Sequence, residues 1–237
     1  MIGILAGMGP KSTGPFVDTV VEQCQNIYGA KHDMDFPHMM IYSCPTPFYM
    51  DRPIDHQAME KAIISGAQKL ESTGVDFIAM PCNTAHPYFN QLQNSVSVPI
   101  LNMVDETIKE IPNHIKKVAL LATDATVQSG IYQDDISKRG INYIYKDNWQ
   151  RDTTQIISKI KVGNIMEATE LWRTLCTELA EAVDAVIIAC TDLNVVSGAN
   201  PHNLYFVDSS VCLAKAVVHR YLSIIHQLKN QHKTTSF

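Results

Sequence analysis

The chain carries an internal repeat, in which two distant stretches share an apolar, strand-like run that ends at a cysteine. Residues 75–84 read VDFIAMPCNT and residues 183–191 read VDAVIIACT, so the cysteine follows the first valine by seven residues in both. The apolar runs at 2–6 and 118–122 form a second matching pair. Self-similarity of this kind indicates a duplicated structural unit, and it predicts two related domains.

Short apolar runs alternate with longer helical patterns along the chain. The run AVIIA at 185–189 is apolar at every position, which is typical of strands that helices cover on both faces of a parallel sheet. Apolar residues recur at helical spacing over 57–72 and 166–182, as expected of the helices that connect parallel strands. We therefore predict strands at residues 2–6, 39–43, 77–80, 100–103, 118–122, 143–145, 185–189 and 205–207.

These patterns predict an α/β fold of two similar, doubly wound domains, with parallel-rich sheets related by pseudo-twofold symmetry. We place the first domain at residues 1–103 and the second at 104–207, and we expect a helix over 209–228 to pack back on the first domain. Ligands of open α/β sheets bind outside the carboxyl ends of the strands. The functional site is therefore expected in the cleft between the two domains.

The amino-acid composition narrows the classes of molecule that this protein could bind. Hydrophobic residues make up 46% and charged residues 18% of the 237 residues, as in globular proteins with a large core. The net charge is −5 and no basic run exceeds Lys116-Lys117, so we expect no nucleic-acid or membrane partner and a small-molecule ligand instead. The first residues lack the basic segment typical of a secretory signal, and no apolar run approaches the roughly 18 residues of a membrane span. The six cysteines lack the CxxC pairs typical of metal or redox sites. We expect a cytoplasmic protein with reduced thiols.

Cys82 and Cys190 are the candidate catalytic residues, because the repeat places each one after a matching strand. The positive end of a following helix favours thiolate over thiol, so either cysteine can act as a base. The neighbouring side chains of Asn83, Thr84 and Thr191, with helix-start N–H groups, can hold a carboxylate. A thiolate on one face of an α-carbon and a thiol on the other would invert its configuration.

The remaining cysteines are expected to be structural. Cys24, Cys176 and Cys212 lie in helical patterns, where a buried, core position is typical of cysteine. Cys44 follows a predicted strand, and we expect it to pack at the strand end.

The glycine and cysteine motifs also resemble two other kinds of site. The glycines of Gly7-Met8-Gly9-Pro10 do not continue as a nucleotide-binding loop, and they are better suited to a close approach of the backbone to a small substrate, with Thr13 near the next helix start. Cys82, His86 and Cys190 leave a zinc site open as an alternative, although His86 more simply packs near Cys82. Asp105 and Asp208, after their strands, are expected to cap helices.

Taken together, the motifs resemble those of the aspartate/glutamate racemases that work without pyridoxal phosphate. The likeness spans nearly the whole chain in family order, through the motifs Gly7-Met8-Gly9-Pro10 with Thr13, Asp51-Arg52, PCNTAH at 81–86, and Cys190-Thr191-Asp192. The resemblance implies that Cys82 and Cys190 are the acid/base pair of an amino-acid racemase for aspartate, glutamate or both. It also implies no cofactor and a homodimer with an active site between two α/β domains. We expect no metal, because the spacing of Cys82, His86 and Cys190 is only a weak zinc signal.

The resemblance further implies a set of substrate-binding residues: Met8, Gly9, Arg52, Asn83, Thr84, Lys161, Thr191 and Asp192. Asp192 departs from the glutamate usual in the family, which shortens its reach by one methylene. Judged without the resemblance, Lys161 is a solvated lysine at a helix end that Gly163 terminates. Two alternatives stay open: a related isomerase or decarboxylase that acts on another carboxylate, and a ligand-binding protein without turnover.

Overall fold

Two four-stranded parallel sheets organise the chain in the computed structural model, which describes residues 1–49 and 52–234. The first sheet has the order β2-β1-β3-β4 and the second the order β6-β5-β7-β8, so the two sheets share one topology. The strands are β1 (Ile2–Ala6), β2 (Met39–Ser43), β3 (Phe77–Ala79), β4 (Ile100–Leu101), β5 (Lys117–Ala122), β6 (Asn142–Tyr143), β7 (Ala185–Ala189) and β8 (Tyr205–Asp208). The predicted α/β fold of two similar domains is confirmed.

The register of the central strands repeats as well. Ile2 is opposite Phe77 in the first sheet, and Val118 is opposite Ala185 in the second. These are equivalent positions of the sequence repeat, because Ile2 and Val118 each begin an apolar run that precedes a loop. The loops after the central strands therefore start from equivalent places in the two sheets.

Ten α-helices lie within the described residues. They are α1 (Thr13–Tyr28), α2 (His56–Glu71), α3 (Phe89–Asn94), α4 (Met103–Lys109), α5 (Asp124–Ser129), α6 (Gln133–Lys138), α7 (Asp147–Lys161), α8 (Ile165–Ala180), α9 (Asn194–Ser197) and α10 (Ser209–Thr234). None of the helices within residues 1–49 and 52–234 has the length and apolarity needed to cross a bilayer.

Alternate strand residues enter separate apolar clusters on the two faces of each sheet, which explains why the strands read as continuous apolar runs. In the second sheet, Val186 and Ile188 pack with Trp172 of α8, whereas Ala185 and Ile187 face Ile136 of α6. In the first sheet, one face packs against α1 and α10 and the other against α2. Both sheets are therefore covered by helices on both faces.

Helix α10 connects the two sheets. It begins directly after β8 of the second sheet, and four of its residues pack with Ile2 and Phe16 of the first: Leu213, Ala214, Val217 and Val218. The Asp208 carboxylate accepts hydrogen bonds from the Ser210 and Val211 N–H groups, so Asp208 caps this helix as predicted. The domain boundaries and the pseudo-twofold axis stay predictions.

The predicted cap at Asp105 is wrong. The Asn102 side chain accepts hydrogen bonds from the Val104 and Asp105 N–H groups and so caps α4. The same cap ends β4 earlier than predicted, because Met103 already belongs to the helix. Cys24, Cys176 and Cys212 lie in the apolar clusters, and Cys44 packs at the end of β2, as predicted.

Candidate active site

The carboxyl ends of the central strands open onto one cavity of about 290 Å3 between the two domains. Cys82 lines it from the loop after β3, and Cys190 lines it directly after β7. The loops after β1 and β5 contribute Gly7 and Thr123. The other predicted site residues that line the cavity are Met8, Gly9, Asn83, Thr84, Lys161, Thr191 and Asp192.

The two cysteines have nearly the same backbone geometry. Cys82 has φ −148° and ψ 105°, and Cys190 has φ −141° and ψ 116°. Each immediately precedes a short 3-10 helix, and each carbonyl accepts a hydrogen bond from the N–H group three residues on, that of Ala85 or Leu193. The repeat therefore presents two thiols to one cavity from equivalent loops.

Both thiols are largely buried, with relative exposures of 6% for Cys82 and 8% for Cys190. Burial raises the pKa of Cys82 to about 11, although the Ala85 and Thr84 N–H groups act to lower it. Burial raises the pKa of Cys190 to about 12, and the Asp192 carboxylate adds to the rise. Burial outweighs the helix-start N–H groups that are predicted to favour thiolates, so both groups are thiols at neutral pH.

An ion pair lies beside the two thiols. The Lys161 Nζ atom is 2.9 Å from Asp192 Oδ2, and the Asp192 side chain is only 9% exposed. Asp192 acts to raise the pKa of both cysteines, and Lys161 acts to lower it. Lys161 is the last residue of α7, and Gly163, two residues further on, has a left-handed backbone. Lys161 therefore lies at a helix end, as predicted. Its ammonium group nevertheless lines the cavity.

The loop after β1 is held in place by its first glycine. Gly7 has φ +90°, and a Cβ atom there would lie 2.5 Å from the Cys44 backbone nitrogen, so the position requires glycine. The Gly7 N–H group donates to the Thr13 hydroxyl over 3.1 Å. This arrangement carries Gly9 to the ion pair, because a Cβ atom on Gly9 would lie 3.7 Å from both Asp192 Oδ1 and Lys161 Nζ.

Hydrogen bonds join the loop after Cys82 to the second domain. The Thr84 hydroxyl is 3.0 Å from that of Thr123, whose side chain also caps α5. The Asn83 amide donates to the Ser209 hydroxyl and accepts from the Tyr132 hydroxyl. The two side chains that follow Cys82 therefore both contact segments that adjoin strands or helices of the second sheet.

Arg52 lies outside the cavity between the cysteines. It lines an adjoining cavity of about 480 Å3, which shares Phe48, Thr84 and Thr123 with the first. The Arg52 guanidinium lies 4.4 Å from the centre of the Tyr49 ring, at a distance typical of a cation–π contact. Asp51, the other residue of this predicted motif, is outside the described residues.

His86 is buried behind Cys82, and both of its ring nitrogens are engaged. The Met103 N–H group donates to Nε2 over 2.9 Å, which leaves Nδ1 protonated and donating to the Cys82 carbonyl over 2.7 Å. Burial lowers the pKa of His86 to about 4, so the ring is neutral at ordinary pH. In this arrangement His86 cannot bind zinc. Across residues 1–49 and 52–234, no three His, Cys, Asp or Glu side chains are grouped as metal ligands.

Comparison with known proteins gives the family. The family model for Asp/Glu/hydantoin racemases matches residues 5–217, which is most of the chain. The chain belongs to the Asp/Glu/hydantoin racemase family. The broad specificity amino-acid racemase RacX of Bacillus subtilis (strain 168) is 57% identical over 224 residues, which cover 94% of this chain and 99% of RacX. The family resemblance inferred from the motifs is thus confirmed.

Solved structures of family members share the fold. The aspartate racemase of Picrophilus torridus superposes with a TM-score of 0.80 at 31% identity, covering 92% of this chain and 93% of that one. The glutamate racemase of Thermus thermophilus gives a TM-score of 0.65 at 20% identity, covering 94% and 80%. At that identity the second comparison concerns the fold alone.

The family motifs miss several residues that line the cavity. Thr123 follows β5 as Gly7 follows β1, so the repeat contained the signal that the loop after β5 reaches the site. Phe48 and Met59 also line the cavity, from a loop and from α2. Nothing in the sequence around these two residues distinguishes them from other apolar positions.

Proposed function

We propose that this protein is an amino-acid racemase that uses Cys82 and Cys190 as its acid/base pair and needs no cofactor. The observation that carries the proposal is that these two thiols follow equivalent strands of a duplicated fold and line one cavity. Membership of the racemase family and the high identity to the amino-acid racemase RacX support the same activity.

In the proposed reaction the α-carbon of the substrate lies between the two sulfur atoms. One cysteine, as thiolate, removes the α-proton, and the electron pair left on carbon delocalises into the α-carboxylate. The other cysteine, as thiol, delivers its proton to the opposite face of the carbon. The product is the other enantiomer, and the thiol and thiolate have exchanged places. Atoms and charge balance without a cofactor, and the next turnover can run in the reverse sense.

The rest of the cavity suits the charges of an amino acid. The N–H groups that open the 3-10 helices at Asn83 and Thr191, with the Thr84 hydroxyl, are donors for the α-carboxylate. Asp192 is a buried acceptor for the α-ammonium group. A cationic ammonium near Asp192 offsets the carboxylate that raises the cysteine pKa values, so bound substrate helps one thiol to ionise.

The proposed substrate range includes aspartate and glutamate but is not restricted to them. Among the described residues, Lys161 is the cation that lines the cavity, and its charge is already paired with Asp192. A distal carboxylate would meet Arg52 only where the side chain reaches the adjoining cavity past Thr84 and Thr123. A site of this kind admits uncharged side chains, in keeping with the broad specificity named for RacX.

The test is incubation of the purified protein in deuterated water with each of a panel of L- and D-amino acids, without added cofactor. Chiral chromatography measures inversion, and mass spectrometry measures deuterium at the α-carbon. We expect inversion accompanied by one deuterium, in both directions. The Cys82→Ser/Cys190→Ser double variant, purified in the same way, controls for contaminating racemases. Absence of both inversion and exchange across the panel would indicate a binding protein or an enzyme for another carboxylate.

A further inference from the structure

The Asn83 side chain, next to Cys82, is hydrogen-bonded at both ends, to Tyr132 of the second domain and to Ser209 at the start of α10. Its Oδ1 atom accepts a hydrogen bond from the Tyr132 hydroxyl over 2.5 Å, and its Nδ2 atom donates to the Ser209 hydroxyl over 3.0 Å. Tyr132 precedes α6, and Ser209 is the first residue of α10. Both partners of this one amide group thus lie far from it in the chain, one just before α6 and the other directly after β8.

All three side chains of this cluster are buried, with exposures of 3% for Asn83, 0% for Tyr132 and 1% for Ser209. Water cannot replace a lost partner at such a site, so each hydrogen bond there restrains the geometry more strongly than one at the surface. The Tyr132 ring packs in the apolar cluster under the second sheet, with Ile136 and Val207. The clamp is therefore anchored in the core.

The loop after Cys190 is held differently. Asp192, two residues beyond Cys190, is restrained by an ion pair to Lys161, whose side chain is 34% exposed. An ion pair that solvent reaches restrains its partners less than a buried hydrogen bond does, because water competes for both charges. The segments after the two cysteines, similar in backbone geometry, are therefore held by different contacts: a buried amide after Cys82, and after Cys190 an ion pair that solvent reaches at Lys161, with a hydrogen bond between the Asn194 and Asp208 side chains further along.

We propose that Tyr132 and Ser209 are positioning residues for Cys82: through the amide of Asn83 they hold the Cys82 loop against the segments that begin α6 and α10. They do not touch the substrate. The consequence is that loss of the Tyr132 hydroxyl loosens Cys82 and leaves Cys190 unaffected. This positioning role rests on the proposed racemase function only in the test that measures turnover, and not in the test that measures cysteine alkylation.

The first test measures alkylation of each cysteine by iodoacetamide in the protein without substrate, followed by peptide mass spectrometry. In Tyr132→Phe we expect Cys82 to react about fivefold faster, the factor that corresponds to one lost buried hydrogen bond, and Cys190 to keep its rate. Cys24 and Cys176 are fully buried and report on global unfolding. Equal acceleration at all of these cysteines, or none at Cys82, would overturn the proposal.

Tyr143→Phe is the matched control. Tyr143 packs against the same apolar cluster as Tyr132, but its buried hydroxyl has no hydrogen-bond partner among the described residues. We expect this variant to leave the alkylation rates of both Cys82 and Cys190 unchanged. Should Tyr132→Phe not fold, Ser209→Ala removes the other half of the clamp and carries the same expectation.

The second test uses turnover and separates this proposal from the proposed function. A substrate deuterated at the α-carbon is offered as either enantiomer, and the primary isotope effect on kcat is compared between wild type and Tyr132→Phe. The effect should rise for the enantiomer that Cys82 deprotonates, which is the one that Cys82→Ser no longer exchanges with solvent. Equal changes for both enantiomers would refute the positioning role. Wild-type protein without turnover would refute the racemase function, while the alkylation test would still stand.

Discussion

The Lys161 ammonium group and the Asp192 carboxylate, 31 positions apart in the chain, lie 2.9 Å from each other beside the two thiols. Asp192 belongs to the loop that carries Cys190, and Lys161 ends the helix that packs next to it. The pair sets the local charge for both cysteines, because the carboxylate acts to raise and the ammonium acts to lower their pKa values. Removing either member should therefore change the acid/base chemistry rather than the fold.

Lys161→Met tests this relationship, since it removes the charge and keeps most of the apolar stem. Asp192 is then a largely buried carboxylate without its cation, and the pKa values of both cysteines rise. We expect kcat/KM near neutral pH to fall about tenfold and its pH profile to shift about one unit upward, one pKa unit being a factor of ten in thiolate. Lys159→Met is the control, because Lys159 lies on the same helix as Lys161 but pairs with Glu167 of α8 at the surface. Equal effects of both substitutions would contradict the expectation.

Substitution of either cavity cysteine by serine should abolish racemisation. Inversion needs a base on one face and an acid on the other, and a hydroxyl is far less acidic than a thiol. Each single variant should still exchange the α-proton of one enantiomer, with Cys82→Ser and Cys190→Ser exchanging opposite enantiomers. The measurement is deuterium uptake by L- and D-substrate separately.

Cys212→Ser is the control for this pair of variants. Cys212 is 5% exposed, close to the 6% of Cys82, but it lies in α10 away from the cavity. Its serine hydroxyl can bond to a carbonyl of the preceding helical turn, so the cost in stability should be about 1 kcal/mol or less. Racemisation at the wild-type rate in Cys82→Ser or Cys190→Ser would exclude the two-base mechanism.

The buried thiols also predict how activity depends on pH. The pKa of Cys82 is about 11 and that of Cys190 about 12, so the thiolate fraction rises tenfold for each pH unit below those values. We expect kcat/KM to increase steadily from about pH 7 to about pH 9. Above pH 9, deprotonation of the substrate ammonium group also affects the rate. A profile that is flat over this range would mean that substrate binding alone generates the thiolate.

Much of the fold could be predicted because its determinants are local. Strands β1, β2 and β7 match the predicted residues, since each is an unbroken apolar or β-rich run. The start of α4 could not be predicted because it depends on one side chain, that of Asn102, and asparagine is also common in turns.

The site was predictable as far as the repeat and the family motifs extend. The repeat placed Cys82 and Cys190 after equivalent strands, and the structure brings both to one cavity. The clamp on Asn83 joins residues 49 and 126 positions away, and nothing near Tyr132 or Ser209 in the sequence signals a partner. Contacts of this range depend on how the two domains dock, which neither periodicity nor spacing encodes.

His86 should make stability depend on pH below neutrality. The imidazole titrates near pH 6.5 in the unfolded chain but near pH 4 in the native protein, because burial lowers its pKa. The unfolded state therefore binds the proton first as the pH falls, and the free energy of unfolding should decrease by about 1 kcal/mol per pH unit between these values. Denaturant titrations at several pH values measure this slope.

The matched variants are His86→Gln and His202→Gln. His86→Gln should be less stable at neutral pH, because it loses the bonds to the Cys82 carbonyl and the Met103 N–H group, and its slope should be shallower than that of the wild type. His202 is exposed beside Thr177, so its replacement should leave the slope unchanged. A wild-type slope in His86→Gln would show that other groups cause the acid sensitivity.

Arg52 gives the sharpest prediction about substrate range. It lines the adjoining cavity and not the one between the cysteines, so it can contact only a side chain long enough to pass Thr84 and Thr123. Arg52→Ala should therefore lower kcat/KM for glutamate more than for aspartate, and leave alanine nearly unchanged. Because Arg52 is exposed, the loss for glutamate should be about 1 kcal/mol, or about fivefold, and not the larger loss of a desolvated pair.

Arg173→Ala, which removes a surface arginine paired with Glu170, controls for the change in net charge. Equal losses for all three substrates would mean that Arg52 shapes the loop or holds the common α-carboxylate, and the proposed path for long acidic side chains would then be wrong.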